Sequence, residues 1–176
     1  MNSAFRIPHS AFTPLAFVGL GSNLGDSRGI ILRAMHRLEA FSDQPLHRSS
    51  LWQTTPVDCP PGSPPFVNAV VGLSPSPGES PETLLEKLQA LEAEFGRQPK
   101  KVPNEPRPLD LDLIAFGTSV IQSARLTLPH PRAHCRRFVL GPLAEIAPDL
   151  VLPQQVRTVR QLLDELVSDE VIRRLG

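Results

Sequence analysis

From Leu109 to Leu113 the chain alternates apolar and acidic side chains, Leu-Asp-Leu-Asp-Leu. Period-2 alternation predicts a strand with Asp110 and Asp112 on one face and the leucines on the other. The rest of the pattern can be read around this strand. Residues 15–20 form an apolar strand run that ends in Gly-Ser-Asn-Leu-Gly-Asp, residues 21–26. Ile30, Ile31, Ala34, Met35, Leu38 and Phe41 then recur at helical spacing behind a cap at Asp26 or Ser27. Residues 46–53 and 66–73 read as two further strands, separated by a loop over 57–65 that holds four prolines. Ser80-Pro81-Glu82 opens a second helix with a cap, a proline at the first position and an acid in the first turn. Its apolar stripe is Leu84, Leu85, Leu88, Leu91 and Phe95, and Gly96 closes it. Beyond the acidic strand come a short strand over 119–122, a helix over 139–147 with Leu140, Leu143 and Ile146 inward, and an amphipathic helix over 158–167. The order β-α-β-β-α-β, followed by short strands and two helices, is the split βαβ pattern of an antiparallel sheet carrying helices.

Composition narrows the setting. The 176 residues suit one domain with a good-sized core, expected over 15–176, while 1–14 lacks periodicity and is expected to be a disordered tail. The net charge is zero, so bulk electrostatics suggests no nucleic-acid or membrane partner, and no apolar run reaches membrane-spanning length. Cys59 and Cys135 are too few for a disulfide framework and read as reduced thiols, which points to the cytoplasm. The expected partners are small molecules and the expected state is a monomer.

The chemistry starts at the two aspartates. Neighbouring carboxylates on a rigid strand repel, and are tolerated when a cation or a shared proton sits between them. Oxygen ligands with no His or Cys beside them suit Mg²⁺, which fills its remaining positions with water and phosphate oxygens. Arg107 lies three residues before Asp110 between two prolines, which hold its backbone extended. The bland alternative is an edge strand with a solvated acidic face. Upstream, residues 96–108 carry Arg97, Lys100, Lys101 and Arg107 with four prolines, the composition of a lid over a polyphosphate or of a solvated basic loop. Asn68 sits at a polar position of an apolar strand, where its amide meets either backbone or the edge of a heterocycle. Gln89 and Glu92 fall outside the middle of the helix stripe, either on the surface or lining a cleft. His130 stands between two prolines and reads as a phosphate hydrogen-bond donor, with Arg136 as a second phosphate ligand. A zinc site at His130, His134 and Cys135 lacks the helical spacing such ligands need. The 21–26 turn lacks the Gly-Lys-Ser/Thr ending of a phosphate loop.

Taken together, Gly19-Leu-Gly-Ser-Asn-Leu-Gly-Asp26, Phe66-Val-Asn68, Pro106-Arg-Pro-Leu-Asp-Leu-Asp112 and Leu126-Thr-Leu-Pro-His-Pro131 resemble the 6-hydroxymethyl-7,8-dihydropterin pyrophosphokinases of folate biosynthesis. The resemblance implies a ferredoxin-like αβα sandwich of the α+β class, mainly antiparallel, with helices on both faces. It implies transfer of pyrophosphate from ATP to the pterin hydroxymethyl group, leaving AMP, with two Mg²⁺ ions. Asp110 and Asp112 match the metal ligands, and Arg97 and Arg107 match lid arginines on the phosphates. His130 and Arg136 match phosphate contacts, and Gln89, Glu92, Arg125 and Thr127 match positions lining the ATP site. Thr54, Val57, Phe66, Asn68 and Phe138 match the pterin pocket.

The chain also departs from the family pattern. Glu105 replaces a small residue before Pro106, and a second lid arginine of some members falls on Pro99, leaving Lys100 or Lys101 to supply the charge. The lid tryptophan of some members is Asn104, and Phe66 stands where tyrosine would stack. Two rivals remain. A nucleotide-sugar transferase would need a nucleotide-binding parallel sheet. A catalytically inactive ferredoxin-like nucleotide-binding module would have no use for two aspartates, two arginines and a histidine at these spacings.

Overall fold

The computed structural model describes residues 15–99 and 103–176. The expected tail and the lysines at 100 and 101 lie outside the described residues. The chain runs β1 (Ala16–Ser22), α1 (Ser27–Leu38), β2 (His47–Arg48), β3 (Trp52–Thr54), β4 (Phe66–Leu73), α2 (Pro81–Glu94), β5 (Asp110–Phe116), β6 (Ile121–Gln122), β7 (Thr127–Leu128), α3 (Arg137–Ile146), α4 (Val159–Glu165) and β8 (Ile172–Arg174). The main sheet is antiparallel throughout, in the order β5-β1-β4-β3-β8, with β2 also on β4, and β6 and β7 pair separately.

Both faces of the sheet are covered. Ala16, Val18 and Leu20 of β1 and Ala69, Val71 and Leu73 of β4 pack with the buried stripes of α1 and α2. Phe17 and Val70 face the other way, against Val139, Leu140 and Leu143 of α3 and Val159 of α4. The helices begin where their caps demand. The Asp26 side chain accepts from the Gly29 N–H, and Ser80 and Thr83 form a reciprocal capping box, as do Thr158 and Gln161. Gly96 follows α2 at φ +86°, a left-handed conformation that ends the helix readily only with glycine.

Three features depart from the sequence pattern. The strand expected over 46–53 is two short pieces, because Ser49 turns its hydroxyl inward to accept the Val70 N–H at 2.9 Å. The β1–β5 register shifts between Phe17 and Val18. Ile114 and Ala115 consequently both face α3, whereas Leu111, Leu113 and Phe116 face α2. Finally, β8 closes the far edge of the sheet on β3, a pairing that no local periodicity announces.

Leu88 is fully buried between α2 and the sheet. Leu88→Ala is expected to destabilise the fold by about 3 kcal/mol, the usual size for a leucine cavity, read as a lower urea midpoint at unchanged slope.

Candidate active site

The sheet face under α3 is left uncovered at one end, and the floor there is glycine. Gly21 of β1 pairs with Asn68 of β4 on one side and Asp110 of β5 on the other, and Gly19 pairs with Asp112. A Cβ on Gly21 would lie 3.0 Å from Asn68 Oδ1, so the close approach of the amide requires the missing side chain. The result is a cavity of about 380 Å³, walled by residues of every layer of the fold.

At one end stand the two aspartates. Asp110 is clamped by two arginines: Arg107 Nη2 lies 2.8 Å from its Oδ2, and Arg97 Nη1 donates to its Oδ1. Burial works to raise the Asp110 pKa, but Arg107 and Arg97 outweigh it and hold the carboxyl below the ordinary range. No ion pair or hydrogen bond reaches the Asp112 carboxylate from the described residues. Burial first, then the charge of Asp110, pushes it above the ordinary range. The two neighbouring carboxylates are thus shifted in opposite directions.

Arg97 also donates to Glu92. Glu92 is 8 % exposed, on the α2 turn nearest the edge strand, and its Oε1 accepts the Leu111 N–H at 2.6 Å. β5 is an edge strand, and Glu92 takes one of its outward-facing donors. Burial pushes its carboxyl up to about 7 against the Leu111 N–H and Arg97, with Asp110 and Asp112 adding to the rise. On the same edge the His130 backbone N–H donates to Ile114 O at 2.8 Å, at the register shift, which brings the histidine to the cavity wall. His130 Nδ1 accepts the Arg132 N–H at 3.2 Å. Burial, Arg136 and Arg132 lower its pKa to about 4, so at neutral pH the ring is uncharged and carries its proton on Nε2.

Beside the aspartates the cavity is aromatic and amide-lined. Asn68 Nδ2 donates to Thr54 Oγ1 at 2.7 Å, which turns the amide across the floor. The Phe66 and Phe138 rings each carry an arginine, with the Arg107 guanidinium 5.4 Å from one centroid and the Arg136 guanidinium 5.3 Å from the other. Val57 and Gln89 complete the wall. Arg125 and Thr127 line no part of this cavity. Arg125 pairs with Glu86 on the exposed face of α2 at 2.8 Å, and Thr127 is exposed on β7.

Two asparagines to which the sequence assigned no contact tie the walls together. Asn23, 3 % exposed, accepts the Arg107 N–H at 2.9 Å and donates to Pro64 O at 3.3 Å, stapling the arginine's backbone to the proline-rich loop. Asn104 Nδ2 donates to Asp58 O at 2.8 Å, a second link between the two loops. The asparagine within the 21–26 turn was the available signal for the first. The second depends on chain positions 46 residues apart.

The sequence profile of the 7,8-dihydro-6-hydroxymethylpterin-pyrophosphokinase family matches residues 17–148. The chain belongs to this family. It is 41 % identical over 151 residues to the 2-amino-4-hydroxy-6-hydroxymethyldihydropteridine pyrophosphokinase of Synechocystis, covering 86 % of this chain and 75 % of that one. It is 39 % identical over 154 residues to the protein of the same name from Haemophilus influenzae, covering 87 % and 91 %. Among solved structures, wild-type Plasmodium falciparum HPPK-DHPS with SDX-DHP superposes at a TM-score of 0.70 and 14 % identity, covering 87 % of this chain and 44 % of that one. The chain spans less than half of that larger protein, and the likeness carries the fold alone. Within this pyrophosphokinase the profile match includes every cavity-lining side chain named above and ends before α4 and β8.

The raised Glu92 pKa has a consequence for stability. The folded chain holds the proton up to about pH 7, whereas the unfolded chain releases it near 4.5. This group's contribution is therefore present at low pH and is lost as pH rises through 7. His130, with its lowered pKa, acts in the opposite direction between pH 4 and 6.5. Comparison of Glu92→Gln with the parent isolates the first effect. The variant is expected to gain stability relative to the parent between pH 5 and pH 8 in metal-free buffer, read from urea midpoints, and a pH-independent difference would show that Glu92 is already ionised at pH 5.

Proposed function

We propose that the chain transfers the pyrophosphoryl group of ATP to the hydroxymethyl oxygen of 6-hydroxymethyl-7,8-dihydropterin, giving AMP and the pterin diphosphate, in cytoplasmic folate synthesis. The observation that carries this reading is one cavity lined both by the Asp110–Asp112 pair with Arg97, Arg107 and Arg136 and by Phe66, Phe138 and the Asn68 amide. A polyphosphate needs the first set and a planar heterocycle the second. The three-layer arrangement is read as the ferredoxin-like αβα sandwich, acting as a monomer.

The donor set fits Mg²⁺. Among the described residues no group of three or more His, Cys, Asp or Glu converges as a cage, and the two aspartates leave positions for water and phosphate oxygens. Asp112, half-buried and without a paired cation among the described residues, is the carboxylate that a bound ion would satisfy. Two Mg²⁺ ions held by Asp110 and Asp112 would supply charge neutralisation across the triphosphate. The residues of the chain do the rest. Arg97 and Arg107 are placed to move from Asp110 onto phosphate oxygens, and His130 Nε2–H and Arg136 donate to the same group. Phe66 and Phe138 flank the pterin, and the Asn68 amide reads its edge. The hydroxymethyl oxygen then attacks the β-phosphorus in line, and the bond to the α-phosphate oxygen breaks as AMP leaves.

Incubation with ATP, Mg²⁺ and 6-hydroxymethyl-7,8-dihydropterin is expected to release AMP in amounts matching the pterin consumed. ADP, or AMP release independent of the pterin, would reject the assignment, and no turnover at all would favour an inactive binding module. Asp112→Ala is expected to keep its circular dichroism spectrum and lose turnover by a factor on the order of a thousand. Activity within about tenfold of the parent would remove Asp112 from the metal site.

A further inference from the structure

Beyond the profile match, which ends at residue 148, the chain returns to the site. Glu170 Oε2 accepts the Phe138 backbone N–H at 3.2 Å. Phe138 lies in the first turn of α3, whose start is otherwise poorly served, because its N-cap residue is Arg136, with no side-chain cap hydrogen bond. An unpaired N–H at a helix start, beside the positive end of the helix dipole, favours a carboxylate. Glu170 supplies it from 32 residues away in sequence.

The segment around Glu170 is held at both ends. Arg137 Nη2 donates to Leu166 O at 2.8 Å, and the Thr55 N–H donates to Val171 O at 3.2 Å. Two residues on, Ile172 pairs with Thr54, and its Cδ1 occupies the space over Gly141 of α3, where a Cβ would come within 2.8 Å. The segment thereby spans the two cavity walls that carry Thr54 and Phe138.

We propose that Glu170 is a positioning residue for the pterin pocket: its carboxylate fixes the first turn of α3 and so sets the Phe138 ring. This rests on the reaction proposed above. Glu170 touches neither substrate. Its loss weakens pterin capture by letting the α3 start relax, and leaves the phosphate chemistry at Asp110 and Asp112 in place.

The test is steady-state kinetics at saturating ATP and Mg²⁺, with the emission of Trp52, the single tryptophan, as a reporter of strand seating because it pairs with Arg174 of β8. Glu170→Ala is expected to raise the KM for the pterin about fivefold, with kcat within about twofold and the Trp52 emission maximum unchanged. Glu170→Gln, whose amide oxygen still accepts the Phe138 N–H, is expected to restore most of the loss. A KM for Glu170→Ala within about twofold of the parent would overturn the proposal. So would a Glu170→Gln variant as weak as Glu170→Ala, or a loss accompanied by a red shift of Trp52, which would make strand detachment the cause. A parent protein without pterin-dependent turnover would sink the reaction itself and this role with it, whereas an active parent with an indifferent Glu170→Ala sinks this role alone.

Discussion

Two half-buried carboxylates two residues apart on an edge strand are the constraint that the rest of the site answers. Like charges at that spacing cannot both sit ionised in a low-dielectric wall without compensation. The fold compensates unequally. Asp110 receives Arg97 and Arg107, and Asp112 receives no close partner among the described residues. A symmetric treatment would leave the pair either fully neutralised or fully repelling. The unequal one leaves a single carboxylate open to a cation that is not part of the chain. The rigidity comes from β1, whose glycines let β4 and β5 bring Asn68 and the aspartates onto one floor.

Using an edge strand for this purpose has a second effect. An edge presents N–H and C=O groups without sheet partners, usually a liability. Here they become anchoring points: Leu111 N–H for Glu92, and Ile114 C=O for His130. Side chains from α2 and from the segment after β7 are therefore registered directly against the backbone that carries Asp110 and Asp112. A displacement of the strand would move all four groups together, so that their relative geometry depends on hydrogen bonds to one element and not on the accumulated error of several loops.

What could be read from sequence follows from the range of each interaction. The faces of β5, the caps of α1 and α2 and the closing Gly96 depend on neighbours within a few residues, and alternation and cap chemistry report them directly. Glu92 shows the limit of that reading. A helical wheel puts it at the margin of the stripe, yet it is buried, because its partner is a backbone N–H 19 residues away on a strand edge. The pairing of β8 with β3, the Asn23 staple and the shift at Ile114 are likewise set by partners distant in the chain. Arg125 and Thr127 illustrate the converse. Matching a motif position carried them toward a nucleotide site, while the fold turns Arg125 to Glu86 outside the cavity. The family resemblance carried the assembly of the cavity, since periodicity alone does not bring Thr54, Phe66, Asp112 and Phe138 to one place.

The charge pattern also bears on how substrates would enter. Three of the arginines facing the cavity are already engaged, Arg97 and Arg107 on Asp110 and Arg107 and Arg136 over the two phenylalanine rings. The surfaces that the proposed ligands need are thus covered by the same groups that would bind the phosphates. Arrival of a polyphosphate with divalent cations would exchange partners without creating an uncompensated charge: arginines would move to phosphate oxygens, and the cations would take their place on the aspartates. Each exchange would swap one close ion pair for another, so the free-energy change would be a difference between two large and similar quantities. Moving Arg107 would also uncover the Phe66 ring, coupling the proposed binding of phosphate to that of the planar ligand through one side chain. That coupling follows from a single guanidinium standing at once 2.8 Å from a carboxylate and 5.4 Å from an aromatic face.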